Sequence, residues 1–243
     1  MESETIIEVR DLVKRFGSFI ANDHLSFTVA KGEIFGFLGA NGAGKTTAIR
    51  ILSGLSSPTS GYVFVAGIDA SRYPEQVKKS IGYMCQRFSL YEDLTVFENI
   101  RLYGGVYGLT LKEIVLRSDE MLSRLGITDL RDRLIRSVPL GWRQKLAFSV
   151  AIFHQPNIVF LDEPTGGVDP VTRRQFWDLI YEASRAGITV FVTTHYMDEA
   201  EYCDRVCILS EGKIQAIGNP VELKRSFNVT SMDEVFIKVA RNA

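Results

Sequence analysis

The sequence predicts an α/β fold: a core sheet flanked by helices, an antiparallel β part at the N-terminus and an inserted helical subdomain. Three observations predict it. Short apolar runs bounded by turn residues recur with helical segments between them, as buried strands in a layered sheet do. One run, Ile34–Leu38, passes through a glycine-rich turn into Ala48, Ile49, Ile51 and Leu52 at helical spacing. A long stretch from about residue 87 to 137 has helical periodicity and no strand pattern.

In chain order, residues 5–10 and 24–29 read as strands joined by a segment holding Phe16 and Gly17. The strand at 34–38, its turn and its helix follow. Ser57-Pro58-Thr59-Ser60-Gly61 is a turn, and Tyr62–Ala66 is a strand by its β-branched and aromatic content. Ile81–Met84 is a short apolar run ending at Cys85-Gln86. Val96, Ile100, Tyr103 and Tyr107 then share one helical face. Leu111, Ile114, Val115, Ser118, Leu122 and Leu125 share another. Strands return at Ile158–Leu161, Ile188–Thr194 and Arg205–Leu209, with a helix carrying Phe176, Leu179, Ile180 and Ala183 between the first two. A turn at Glu211-Gly212, a strand at Lys213–Ile217 and a helical tail complete the chain. The expected organisation is one domain over 1–243, with a core of 1–86 and 138–243 and a helical subdomain over about 87–137.

Composition narrows the function classes. Of 243 residues, 46% are hydrophobic and 23% charged, ordinary for one globular domain that needs no disulfide staples. Cys85, Cys203 and Cys207 are few and odd in number, which fits buried thiols in a reducing compartment better than a metal cluster. A net charge of −1 argues against a broad electrostatic grip on nucleic acid, and none is expected as a partner. Met1-Glu2-Ser3-Glu4 lacks a signal-peptide pattern, and no apolar run approaches the roughly 20 residues that span a bilayer. Work at a membrane would need another polypeptide to do the spanning.

The chemistry begins at Gly39-Ala40-Asn41-Gly42-Ala43-Gly44-Lys45-Thr46-Thr47. Strand, glycine-rich turn and helix form the context of a phosphate-binding loop. Its glycines let backbone N–H groups curl around anionic oxygens, and the helix adds its positive dipole end. Lys45 would reach β- and γ-phosphates, and the Thr46 hydroxyl would ligate Mg²⁺. Asp162-Glu163 ends another apolar strand, at the sheet edge where ligands bind in open α/β folds. Asp162 would hold Mg²⁺ through a water, and Glu163 would orient or deprotonate the water attacking the γ-phosphate. His195 ends a third strand and could touch the γ-phosphate or Glu163. Gln86 could ligate Mg²⁺ or position the water. His24 and His154 lack such a setting and read as structural.

Together these pieces resemble one family over essentially the whole chain: the nucleotide-binding subunits of ABC transporters. The resemblance implies an ABC ATPase fold built on a P-loop NTPase core, with ATP and Mg²⁺ as ligands. Gly39–Thr47 resembles the Walker A loop, Gln86 the Q-loop glutamine, and Asp162-Glu163 the Walker B aspartate and catalytic glutamate. Thr165-Gly166-Gly167-Val168-Asp169-Pro170 resembles the D-loop and His195 the switch histidine. Phe16 stands where the family stacks an aromatic ring on adenine. Thr193-Thr194-His195-Tyr196-Met197-Asp198-Glu199-Ala200-Glu201 is similar to the type 2 exporter branch.

One segment departs from the pattern. Where the family carries Leu-Ser-Gly-Gly-Gln, this chain has Val138-Pro139-Leu140-Gly141-Trp142. In the family this segment holds the γ-phosphate of a partner subunit. Pro139 supplies neither hydroxyl nor N–H, which leaves the amides of Gly141 and Trp142, and the Asp169 loop, for the contact in trans. The resemblance implies an ATP sandwich with a second nucleotide-binding subunit, identical or different. It also implies docking on a separate transmembrane subunit through the Gln86 loop and the helical insertion, with Phe88, Leu90, Tyr91 and Phe97 as candidate contacts. The expected location is the cytoplasmic face of the cell membrane. Two alternatives stay open at the sequence level: an ABC-type ATPase outside transport, and a nucleotide-dependent binding subunit with little hydrolysis.

Overall fold

A computed structural model describes residues 4–86 and 90–242. The chain opens with a long antiparallel hairpin of β1 (Thr5–Phe16) and β2 (Phe19–Ala30), turning at Gly17, whose φ is +60°. The two short strands expected at 5–10 and 24–29 are the outer parts of this hairpin. Register shifts between Val9 and Leu12 and between Leu12 and Lys14 interrupt the alternation that would have revealed its length. β3 (Ile34–Leu38) is buried throughout and leads to α1 (Lys45–Leu52). β4 (Ser60–Val65) and β5 (Ile68–Asp69) complete a four-stranded antiparallel sheet in the order β2-β1-β4-β5. Next come α2 (Pro74–Ser80) and β6 (Ile81–Met84). The sequence pattern does not announce α2, which buries Val77 alone and is too short to show a period.

Helices α3 (Val96–Val106) and α4 (Leu111–Leu125) each begin with a capping box, Thr95 with Glu98 and Thr110 with Glu113. On α4 the buried residues are Ile114, Ser118, Met121, Leu122 and Leu125. Leu111 and Val115, expected on that face, are exposed: Val115 lies off the buried stripe that runs from Ile114, and Leu111 is the first residue of the helix. The remaining elements are α5 (Leu140–Ala151), β7 (Ile158–Asp162), α6 (Pro170–Arg185), β8 (Thr189–Thr194) and a 3₁₀ segment over Met197–Tyr202. Then come β9 (Arg205–Ser210), β10 (Lys213–Gly218), α7 (Pro220–Ser226) and α8 (Met232–Asn242). No helix among the described residues is long and apolar enough to cross a membrane.

The six-stranded sheet runs β10-β9-β3-β8-β7-β6, parallel from β9 to β6 and antiparallel at β10. Both faces of the parallel strands are covered, so they read as continuous apolar runs rather than alternating ones. Phe35 and Phe37 of β3 join Phe27, Phe160 and Phe191 in an aromatic cluster facing the antiparallel sheet. The opposite face packs Ile34 and Leu38 into a core with Phe148, Phe176 and Trp177. This order has one consequence for function: the C-terminal ends of β3, β8, β7 and β6 stand side by side on one edge.

Candidate nucleotide site

The phosphate loop leaves β3 at that edge. A Cβ on Gly39 would lie 2.6 Å from the Leu209 carbonyl oxygen, and Gly44 enters α1 in the left-handed region at φ +103°, pressed against Ala21 and Asn22. Neither position has room for a side chain. The first helical residue, Lys45, is 4% exposed, and its ammonium donates to the Gly39 and Ala40 carbonyls at 2.8 and 3.2 Å. It also lies 3.3 Å from Glu163 Oε1. A buried ammonium held on two loop carbonyls is poised to exchange them for phosphate oxygens at small cost.

β7 delivers the two carboxylates. Asp162 Oδ1 accepts from Thr193 Oγ1 of the neighbouring strand at 2.7 Å and from Thr46 Oγ1 at 3.4 Å. Burial pushes its carboxyl above the usual range, against the pull of the Thr193 bond, and the nearby Glu163 charge adds to the rise. Glu163 adopts φ +50°, uncommon for a residue with a Cβ, and is held there by bonds from its N–H to the Thr193 carbonyl and hydroxyl at 3.1 and 3.0 Å. Its Oε2 accepts from Gln86 Nε2 at 2.8 Å and lies 3.1 Å from His195 Nδ1. The histidine contact is short but off the hydrogen-bond axis, since Nδ1 has no aligned partner among the described residues. So four elements place Lys45, Gln86, Glu163 and His195 in mutual contact around one carboxylate.

An open pocket of about 360 Å³ sits over this group, lined by Phe19, Ala21, Asn41, Gly42, residues 44–47, Gln86 and Glu163. Its aromatic residue is Phe19. Phe16 pairs with Phe19 across the hairpin turn and lies outside the pocket lining, 56% exposed beside the Lys14 ammonium. For Mg²⁺, the donor set fits: a buried carboxylate whose charged form is penalised, with a hydroxyl within 3.4 Å, is a site a cation would relieve. Thr46 and Asp162 would hold it, with the Gln86 amide oxygen at the rim.

The segment 138–142 lies apart. Pro139 is the N-cap of α5 and offers no side-chain cap. The Trp142 and Arg143 amides both return to the Pro139 carbonyl at 3.0 Å, so the Trp142 N–H, expected to face a ligand, is spent inside its own helix. The cause is a first turn tightened to an i→i−3 bond. Gly141 has a local reason as well: a Cβ there would meet Thr172 Cγ2 of α6 at 2.7 Å. Asp169 caps α6, accepting from the Val171 and Thr172 amides at 3.0 Å and the Thr172 hydroxyl at 2.5 Å; these bonds hold its carboxyl below the usual range.

Among the proposed docking residues, Leu90 is 5% exposed and belongs to the core, Phe97 is half-buried beneath the Arg131 guanidinium, and Tyr91 is exposed. Leu90 and Phe97 are therefore corrected from surface to packing residues, and Phe88 lies outside the described residues. His154 stacks on Tyr107, donates from Nε2 to the Ile81 carbonyl at 3.1 Å, and is lowered by burial to a pKa of about 4, which suits a packing role. Cys203 and Cys207 are buried, and burial raises both thiols.

A parallel sheet whose edge gathers a phosphate loop, paired carboxylates, a glutamine and a histidine is the fold of an ATP-binding cassette. The chain belongs to the ABC transporter family, whose model matches residues 22–166. It is 47% identical over 221 residues to the probable multidrug ABC transporter ATP-binding protein YbhF of Escherichia coli (strain K12), covering 91% of this chain and 38% of that protein. It is 35% identical over 219 residues to the linearmycin resistance ATP-binding protein LnrL of Bacillus subtilis (strain 168), covering 90% and 70%. A solved ATP-binding subunit of an ABC transporter superposes with a TM-score of 0.87 at 29% identity, over 97% of this chain and 100% of that one. The chain thus spans 38% of the length of YbhF. These relatives agree with the exporter-like branch that the region around His195 resembles.

Proposed function

We propose that this chain binds and hydrolyses ATP and thereby drives export by a separate transmembrane subunit, from the cytoplasmic face of the membrane. The observation that supports it most is the contact of Lys45, Gln86 and His195 with the single carboxylate of Glu163 at the mouth of the phosphate-loop pocket. Lys45 and the backbone N–H groups of the loop take the phosphate oxygens. Glu163 orients a water in line with the γ-phosphorus and accepts its proton as the bond to the bridging oxygen breaks, releasing ADP and phosphate. His195 reaches the γ-phosphate from the adjoining strand. Mg²⁺, held by Thr46 and Asp162 with Gln86, would supply charge neutralisation on the phosphates.

Two such subunits would enclose ATP, with Gly141 and the Asp169 loop of one facing the nucleotide of the other. The membrane subunit would dock against the helical subdomain: Tyr91 is 57% exposed, and an apolar groove along α3 is lined by Leu94, Leu102 and Val106. The core and helical parts would then be units with separate tasks, over about 1–86 with 138–243 and about 87–137.

The test is Glu163→Gln. The amide keeps the size of the side chain and loses the base, so turnover should fall at least about 10²-fold. ATP affinity should stay within a few-fold of the parent chain. Equal turnover in variant and parent would remove Glu163 from the reaction.

A further inference from the structure

Glu163 and His195 leave the sheet on neighbouring strands, and the chain beyond each is irregular. Thr193 holds the Glu163 amide to β8, but what fixes the stretches beyond Glu163 and His195 is not at the pocket. It lies beneath. Thr165 is 1% exposed and Glu199, within the 3₁₀ segment after His195, is 0% exposed. The Thr165 hydroxyl donates to Glu199 Oε1 at 2.5 Å. Arg173 of α6 encloses the same pair: Nε stands 3.7 Å from Glu199 Oε1, Nη1 donates to Asp198 Oδ2 at 3.4 Å, and the guanidinium lies 4.1 Å over the Tyr196 ring. Tyr196 in turn packs against the His195 imidazole, ring centroids 4.2 Å apart.

This arrangement is a poor way to gain stability. Glu199 Oε2 is buried without a hydrogen-bond partner among the described residues. An incompletely satisfied buried carboxylate is often replaced by an apolar side chain at no loss. What it does achieve is a rigid link between two segments distant in sequence, each ending in a group that must meet the γ-phosphate.

We propose that Glu199 is a positioning residue that, through Thr165, holds the stretch after Glu163 and the stretch after His195 in register. The proposal rests on the hydrolysis reading above for its rate consequence, and on the geometry alone for its mechanical one. Displacements on the order of 1 Å at reacting groups can cost about 10²-fold in rate without touching substrate binding.

The experiment compares Thr165→Val, Thr165→Ser and Glu199→Leu with the parent chain. Thr165→Val keeps the volume and deletes the donor. Its kcat should fall about tenfold or more with KM for ATP within about twofold, whereas Thr165→Ser should return most of the rate. Glu199→Leu should match Thr165→Val in kcat; where it does not fold, Thr165→Val carries the comparison. A loss shared equally by Thr165→Ser, or a loss that tracks ATP binding, would overturn the proposal, since a merely structural role produces either. Amide exchange provides a readout independent of turnover. In Thr165→Val, protection should drop together in residues 163–169 and 196–202. A drop confined to one segment would overturn the link. Unchanged turnover in Glu163→Gln would instead retire the hydrolysis reading and leave the exchange result to decide the mechanical one.

Discussion

Two helices begin at the segments expected to meet nucleotide, α1 at the phosphate loop and α5 at residues 138–142, and neither has a side-chain cap among the described residues. By contrast, α3, α4, α6 and α7 are capped by Thr95, Thr110, Asp169 and Asn219. An uncapped start leaves N–H groups for an anion, so the two ends look equivalent. They are not. At α1 the loop is opened by left-handed glycines and the buried Lys45 sits on weakly competing carbonyls. At α5 the Trp142 and Arg143 amides fold back on the Pro139 carbonyl, and Gly141 is pressed to α6. One start is prepared for a ligand within its own chain. The other is shaped first by its neighbouring helix.

The sharpest way to break this contrast is Lys45→Ala. Removing a charge-assisted donor worth roughly 1.5–3 kcal/mol should weaken ATP about 10- to 10²-fold in equilibrium binding. Undiminished affinity would show that α1 holds no phosphate, and the two helix starts would indeed be alike.

How much of this was legible in the sequence follows from the range of the interactions. The phosphate loop is local: its glycines and lysine lie in consecutive positions and fix their own backbone. Asp162, Glu163, Gln86 and His195 were legible because each ends an apolar run, and parallel sheets gather strand ends on one edge. That Phe19 rather than Phe16 lines the pocket depends on a two-residue turn and a shifted register, which no local pattern shows. Leu90 and Phe97 were misplaced because an isolated apolar residue in an irregular stretch carries no period to say which way it faces. The Thr165–Glu199 bond joins residues 34 positions apart, and no local pattern announces such a pair. Gly141 has a packing reason besides, the approach of Thr172 on another helix, which no local pattern shows.

A smaller effect sharpens the α5 side. Gly141→Ala would ordinarily gain helix propensity, up to about 1 kcal/mol. Here the new methyl meets Thr172 Cγ2, and that side chain is fixed by its 2.5 Å bond to Asp169. Overpacking costs about 1–3 kcal/mol, so a net loss is expected, read as a lower Tm. Adding Thr172→Ser removes the opposing methyl while keeping the hydroxyl, and should restore stability. A Gly141→Ala chain at least as stable as its parent would show that α6 does not dictate this glycine.

The smallest expected effect concerns Pro139→Ser. Pro139 has φ −56° and ψ 147°, a conformation serine adopts readily at an N-cap. The serine oxygen would accept from the Gly141 or Trp142 amide and stabilise α5 by about 1 kcal/mol. Losing proline releases unfolded-chain entropy and offsets this by about 0.4–1 kcal/mol. The Tm should therefore move little. Association is the more telling readout. In a chain also carrying Glu163→Gln, a hydroxyl at 139 gives the α5 start a donor that proline lacks, and ATP-driven dimers should form at concentrations lower by a factor of about ten or less. An unchanged association constant would mean that residue 139 does not face the partner's nucleotide. The α5 start would then be a packing surface for α6 and nothing more, and the difference between the two helix starts would be complete.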